Sequence, residues 1–271
     1  MTIIISILVL ILGIWLIGKI NLSIKFSNQV KNLFAQSKSI SDKIFHKRQL
    51  DTLPLPVQKY FNYVLKEGQP YISYARIKHD GKFKADLKKD WMGIKGEQYA
   101  TTEKPGFIWK GTTTMFVARD MYISKKGRLI VSLFSIYNIV DAKDKEKYDL
   151  GELLRWLGES LLYPTNLLPS DELNWQAIDA HTAKFTFEYN GLSLYFIVRF
   201  NEVGEIIELE TKRYMGEDNL ETWIIKASDY QLINEVMIPT LFDVIWRLET
   251  GDFSYARFHI TDVEYDVPEK F

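Results

Sequence analysis

The sequence predicts a mainly β protein of the α+β class. One large, strongly curved antiparallel sheet or half-barrel carries an inserted covering helix, and a transmembrane helix precedes it. Three observations predict this. Past about residue 70, β-branched and aromatic runs alternate with turn residues at hairpin spacing. A single amphipathic helical pattern interrupts those runs near 149–162. The chain also opens on an apolar stretch long enough to cross a bilayer. Its 271 residues are ample for one well-filled core. With 34 Lys plus Arg against 35 Asp plus Glu, the chain lacks the basic excess of a general nucleic-acid binder. The absence of Cys excludes disulfide scaffolds, Cys-ligated zinc, Fe–S clusters and thiol catalysis.

Residues 3–17 are apolar apart from Ser6, and continuing to Ile20 adds only Gly18 and Lys19. Twenty residues of helix span about 30 Å, the thickness of a hydrocarbon core. No basic n-region and no small-x-small site accompany the run, so residues 1–20 are expected to be an uncleaved anchor, with a cleaved signal as the alternative. Residues 21–50 form a basic tether. From Lys19 to Leu50 there are seven basic residues against Asp42 alone, a charge of +6 that leaves −7 for residues 51–271. Positive charge after a span predicts a single-pass membrane protein with its globular part on the cytoplasmic side. Phe26, Val30, Leu33, Ile40 and Ile44 recur at helical spacing, with Ser37 in the seam. They predict a helix that packs on its own domain, or else a short coiled-coil or membrane-lying segment.

Residues 51–271 are expected to be the curved β domain. Leu53-Pro54-Leu55-Pro56 stops the tether and starts a helix near 56–66, with Val57, Tyr60, Phe61 and Val64 on one face. Strands are predicted at 72–79 and 82–88 around an Asp80-Gly81 hairpin, then at 92–102, 107–117, 119–124, 128–134 and 136–142. Asp149, as N-cap of a capping-box variant with Glu152, opens the inserted helix, which carries Leu150, Leu153, Leu154, Leu157 and Leu161 on one face and closes at Pro164. Strands resume at 182–189, turn at Asn190-Gly191 into 192–200, and continue at 205–214, 221–229, 236–248 and 253–266. Strands 192–200 and 241–248 are apolar on both faces. A sheet packed on one side alternates more cleanly, so a second layer or an aromatic-lined cavity is expected.

Several strings resemble an uncharacterised bacterial family of membrane-anchored proteins, known only as a domain of unknown function. They are Leu53-Pro54-Leu55-Pro56-Val57-Gln58-Lys59-Tyr60, Pro105-Gly106-Phe107-Ile108-Trp109, Leu154-Arg155-Trp156-Leu157-Gly158-Glu159, Tyr163-Pro164-Thr165 and Ile238-Pro239-Thr240, with Trp246, Gly251 and Tyr255 after them. The resemblance spans most of residues 50–267 and implies a single membrane anchor, but no activity. More distantly, long curved strands with an inserted helix resemble the LolA-like lipoprotein-carrier half-barrels. Fold alone does not fix function.

Catalytic signatures are missing. Gly158-Glu159-Ser160-Leu161-Leu162 lacks the closing Gly of a nucleophile elbow, and no phosphate-binding or dinucleotide Gly loop occurs. His46, His79, His181 and His259 are scattered, so no metal site is expected. His79 reads as a turn-flanking strand residue. Asp262, Glu264 and Asp266 share a strand face, which suits a hard cation but is more simply a solvated surface. No catalytic residue and no cofactor are predicted. Glu152, Arg155 and Glu159 lie opposite the Leu stripe. They form either a solubilising outer face or, facing a cavity, an Arg155–Glu159 pair that fixes a polar head group. Trp91, Trp109, Trp175, Trp223 and Trp246 fall on strands or their edges, as core or as the lining of an apolar pocket.

Arg155, Glu159, Trp91, Trp109, Trp223 and Trp246 are therefore the candidate ligand-binding residues. The expectation is a membrane-anchored, non-catalytic module whose concave sheet holds a lipid or acyl chain. The alternatives are an envelope-associated protein-interaction or structural domain with a filled core, and an enzyme on a lipid-like substrate using Arg155 and Glu159. The partners expected are the membrane and an apolar ligand, with no nucleic acid; a protein partner is left open.

Overall fold

A computed structural model describes residues 2–37, 39–216 and 218–271. It contains one 13-stranded, wholly antiparallel sheet in the order β6-β5-β4-β3-β2-β1-β13-β12-β11-β10-β9-β8-β7. Two meanders make it up. The first is β1 (Tyr74–Phe83), β2 (Met92–Thr101), β3 (Gly106–Thr112), β4 (Phe116–Ile123), β5 (Lys126–Leu133) and β6 (Tyr137–Ala142). The second is β7 (Leu173–Ala177), β8 (Thr182–Tyr189), β9 (Leu192–Phe200), β10 (Ile206–Met215), β11 (Asn219–Ile233), β12 (Val236–Leu248) and β13 (Gly251–Tyr265). They join where β1 pairs with β13.

This order leaves β6 and β7 as the two outer edges, although they are consecutive in the chain. Their connection must therefore travel from one edge of the sheet to the other. It does so across the concave face as α3 (Glu146–Gly158) followed by two 3-10 turns, Glu159–Leu162 and Pro164–Leu167. Here α3 touches β3, β4 and β5 on one side and β9 and β10 on the other, which requires the sheet to curl into a half-barrel. Asp149 fastens the helix to β5, its carboxylate accepting from the Gly127 N–H at 2.7 Å and from Lys126 Nζ at 2.8 Å. Only glycine fits at 127, since a Cβ would overlap the Tyr148 carbonyl.

Beyond α3 the concavity is filled. Trp156 is buried and donates through Nε1 to the Thr101 carbonyl at 2.9 Å. Tyr163 and Tyr265 donate to the carbonyls of Trp156 and Leu162 at 2.9 and 2.7 Å. Helix α2 (Leu55–Val64) adds Val57, Tyr60, Phe61 and Val64 to the same core.

The convex face carries α1, one continuous helix from Thr2 to Ala35. Its first half stands clear of the sheet with apolar side chains exposed, and by length and composition it suffices to cross a membrane. Its second half packs Phe26, Val30, Leu33 and Phe34 against Tyr74, Tyr99, Ile108, Met121 and Ile130. Arg119 is buried beneath it and donates to Gln29 Oε1 at 2.8 Å. The helical spacing in the tether thus serves packing on its own domain. Ile40 and Ile44 lie past the helix end and are exposed.

Several sequence expectations are corrected. Asp80-Gly81 is not a hairpin: β1 runs straight through it, pairing Asp80 with His259 and Gly81 with Phe258. Gly81, at φ +146°, is needed because a Cβ would collide with the Arg257 carbonyl across the strand pair. The run 82–88 is the end of β1 and a loop. The predicted 107–117 strand breaks at 113–115, where Thr113 and Phe116 close a turn through a 2.9 Å backbone hydrogen bond. The β-forming residues Thr112 to Thr114 hide that turn. α3 begins a turn before Asp149, with Lys145 as N-cap, and Asp149 serves the sheet contact instead of a capping box. Strand β7, which carries Trp175, lies outside the strand ranges expected from the sequence. Asn190-Gly191 does turn as expected, at φ 53° and 78°.

Because Leu33 is only 2 % exposed, its substitution by Ala should cost about 2–5 kcal/mol. In detergent-solubilised full chain this lowers the thermal midpoint by roughly 5–20 °C. Leu10→Ala, on the 63 % exposed part of the same helix, leaves the midpoint unchanged.

Candidate functional site

On the other side of α3 the half-barrel is hollow. A cavity of about 610 Å³ lies between α3 and strands β1–β6 and β10–β13. Its walls are apolar, with Ile77, Ile94, Leu129, Val244, Phe253 and Ile260 among them. The mouth is marked by lining residues that are themselves exposed: Ile139, Val140 and Tyr214. A second cleft, of about 780 Å³, runs beneath residues 39–43 and is lined by many more polar groups. The hollow in the barrel is the candidate site because buried charged groups converge on it.

Those groups form one cluster at the base of the cavity. Arg155 donates through Nε to Glu159 Oε1 at 2.8 Å and pairs through Nη1 with Asp120. Glu159 also accepts from Gln98 Nε2 at 2.8 Å. The Arg155 guanidinium lies 4.5 Å from the Trp109 ring centroid, and that of Arg213 lies 4.5 Å from Trp223. These stacked contacts suit a guanidinium, which is more weakly hydrated than an ammonium. Trp109 donates through Nε1 to His79 Nε2 at 2.8 Å, so His79 accepts there as a neutral ring. Gly96 provides the flat floor this pair needs, since a Cβ there would overlap the imidazole.

Glu152 differs from its neighbours. Arg213 Nη2 approaches one oxygen at 4.0 Å, while Oε2 is buried without a hydrogen-bond partner, as is Asp120 Oδ1. Burial, reinforced by the Asp120 charge and only partly opposed by Arg213 and Arg155, pushes the Glu152 carboxyl up to about 8. It is therefore held protonated at neutral pH. Burial alone would depress the Arg155 guanidinium, but Glu159 and Asp120 outweigh it and raise the group above its ordinary value. Burial, helped by Arg155, brings His79 down to about 4.

Of the sequence candidates, Arg155, Glu159, Trp109, Trp223 and Trp246 line this cavity. The face of α3 carrying Glu152, Arg155 and Glu159 is not a solubilising outer surface. The edge-to-edge crossover turns it into the barrel, where the Arg155 and Glu159 side chains are 11 % and 23 % exposed. Trp91 lies outside the lining, at the strand-end rim, with Lys84 and Arg257 5.1 and 5.0 Å from its ring. Trp175 packs in the filled half against Phe61 and Phe185. Local sequence pattern does not single out Asp120, Gln98 or Arg213, and the turn expected beside His79 is replaced by a continuous strand. Asp120 and Gln98 share a strand face with their cross-strand partner Trp109, a sign visible only once the strand register is known. The acidic ladder is engaged elsewhere: Glu264 pairs with Arg76, Asp262 with Lys78, and Asp266 Oδ1 accepts from the Ser73 and Tyr74 N–H groups. Among the described residues, no group of three or more His, Asp or Glu is arranged to hold a metal ion.

The chain belongs to a family of unknown function, DUF6544, whose model matches residues 43–258. In fold it is similar to a solved LolA superfamily protein from Nitrosomonas europaea. That likeness has a TM-score of 0.43 at 10% identity and covers 77% of this chain and 91% of the other. No curated protein matches the sequence.

The raised Glu152 pKa carries a stability consequence with a definite sign. A carboxyl whose folded pKa lies above its unfolded value favours folding least once it must ionise, so its contribution declines as pH rises from about 4.5 through about 8. Glu152→Gln removes that loss. Its thermal midpoint should match the parent at about pH 5, exceed it increasingly up to about pH 8, and keep a constant lead above.

Proposed function

We propose that this protein is a membrane-anchored binding module that holds an apolar ligand, an acyl chain or lipid, in the concave hollow of its half-barrel. The observation that carries this reading is the cavity: about 610 Å³ of apolar-walled space with a small polar cluster at its base. Sites for small apolar molecules have this size and composition. The cluster is pre-organised, since Arg155 and Glu159 are fixed by each other, Asp120 and Gln98. Groups so engaged are suited to orienting a ligand's polar end. The exposed apolar half of α1 supports an anchor beside the domain, and the +6 tether favours the cytoplasmic side.

A second reading rests on Glu152. A protonated carboxyl with a buried, unpartnered oxygen on a residue that lines an apolar cavity is also how a general acid is stored, so an enzyme acting on a lipid-like substrate would place its proton transfer there. Turnover of a bound acyl ester that Glu152→Gln abolishes would favour this reading over simple binding.

The test of the first reading is saturable binding of a fluorescent fatty acid to full-length protein stripped of co-purified lipid. One ligand per chain is expected. Ala118→Trp, which fills the cavity from β4, should weaken binding at least tenfold with little change in the thermal midpoint. No saturable binding, or an unaffected Ala118→Trp variant, contradicts the reading.

A further inference from the structure

The hollow has an orientation, and α1 reveals it. Three contacts fix how this helix runs along the convex face. A Cβ at Gly106, where β3 begins, would touch Leu33. Phe26 lies over mid-sheet, its ring 6.0 Å from Tyr99 and 4.5 Å from Lys110 Nζ. A Cβ at Gly18 would lie 2.8 Å from Ile136 Cγ1 and 3.1 Å from the Ser135 carbonyl oxygen, in the β5–β6 turn. From Gly18 to Leu33 is about 22 Å of helix, and the length of β3 is about 20 Å of strand. The helix therefore runs the height of the sheet, and its exposed apolar half leaves at the end that carries the β1–β2, β3–β4 and β5–β6 turns.

The cavity opens at that same end. Its lining includes Phe83 and Met92 from the ends of β1 and β2, Thr113 and Phe116 from the β3–β4 turn, and Met215 and Phe253 from the second meander. The opposite end is filled by α2 and the turns after α3. Beside the mouth, the β5–β6 tip exposes side chains that a soluble surface would not favour: Phe134, Ile136 and Tyr137, with Met115 alongside. The tip is held in place, since the Phe134 N–H donates to the Met115 carbonyl at 2.8 Å.

Level matters as much as direction. Residues 2–20 amount to about 28 Å of helix, close to the thickness of a hydrocarbon core. That places Gly18, and the Ser135-Ile136 turn touching it, within about 3 Å of the hydrocarbon boundary. Lys19 lies with Nζ 4.0 Å from the Trp15 ring centroid, a pairing suited to that boundary. Trp91, flanked by Lys84 and Arg257, sits at the same end of the sheet.

We infer that the β5–β6 tip is a membrane-docking element that seats the cavity mouth on the bilayer interface, so that the ligand passes between bilayer and cavity without crossing water. This rests on the anchored, ligand-binding reading above. The occupant of the exposed patch is the lipid surface because the patch is continuous with the span at Gly18.

The chain contains no Cys, so single labelling sites can be introduced cleanly. Full-length Ile136→Cys, Leu10→Cys and Asn234→Cys are labelled with an environment-sensitive dye and reconstituted in phosphatidylcholine–phosphatidylglycerol vesicles. Quenching by lipids spin-labelled at different depths is then read. The expected pattern is strong quenching at Leu10→Cys by deep labels, strong quenching at Ile136→Cys by shallow labels, and none at Asn234→Cys in the far β11–β12 turn. Quenching at Leu10→Cys without any at Ile136→Cys overturns the docking inference and leaves the anchor standing. No quenching at Leu10→Cys overturns both. Shielding of Ile136→Cys that appears only at high protein density assigns the patch to a second copy and also overturns the inference. A functional arm separates docking from binding. The double variant Ile136→Asp, Tyr137→Asp should slow uptake of a fluorescent fatty acid from vesicles about tenfold, while its affinity for the same fatty acid presented in detergent micelles is unchanged. Equal uptake rates overturn direct transfer, and loss of affinity in micelles shows that the tip belongs to the cavity rather than to the membrane.

Discussion

The constraint on which the rest depends is topological. The two meanders join through β1 and β13, leaving the consecutive strands β6 and β7 at opposite edges of a thirteen-stranded sheet. A chain that must pass between those edges has to cross the concave face, and α3 does so. The sheet curls around it, and the helix buries both of its faces, the Leu stripe and the charged one. Glu152, Arg155 and Glu159 are therefore not a solvated surface. They meet Asp120 and Gln98 of the first meander and Arg213 of the second.

From that crossing follows the division of the barrel. On one side Trp156, Tyr163, Phe61 and Trp175 are buried in a packed core. On the other, no element among the described residues enters, and the apolar inward residues of β1–β5 and β10–β13 line a hollow. Leaving such walls unfilled forgoes the dispersion contacts that close packing would provide. The buried carboxyl at Glu152 adds a further cost, reduced by keeping its proton. Both features oppose stability at one place in the fold, the pattern expected where a sequence serves a ligand as well as its own packing.

How much of this was legible in the sequence follows from how local each signal is. The strand texture, the Asn190-Gly191 turn, helix α2 and the inserted helix all rest on neighbours a few residues apart, and each is present. Asp80-Gly81 misled because glycine is needed there to avoid a collision with the Arg257 carbonyl, far away in sequence, rather than to make a turn. Asp149 resembled an N-cap, but its carboxylate is used by Gly127 on another element. The apolar character of both faces in strands 192–200 and 241–248 pointed to a second layer or an aromatic-lined cavity; Phe242, Val244 and Trp246 line the hollow, while α1 packs on the first meander and not on these strands. That pattern could not say which half of the concavity is hollow. Arg155 and Glu159 were recognisable as a pair at four-residue spacing. Asp120 and His79 join them only through cross-strand register. Trp91 fails as a lining residue because its side chain lies at the rim, a matter of strand ends that propensity does not resolve.

The central claim is that the hollow accepts a hydrocarbon chain among Trp109, Trp223 and Trp246. The most direct measurement is quenching of intrinsic tryptophan fluorescence by a fatty acid brominated along its chain, in full-length protein carrying Trp15→Phe and Trp91→Phe. The account predicts saturable quenching of a large part of the emission, displaced by the unbrominated acid. Emission that stays unquenched at saturating ligand, or that falls only in proportion to the ligand added, would contradict it.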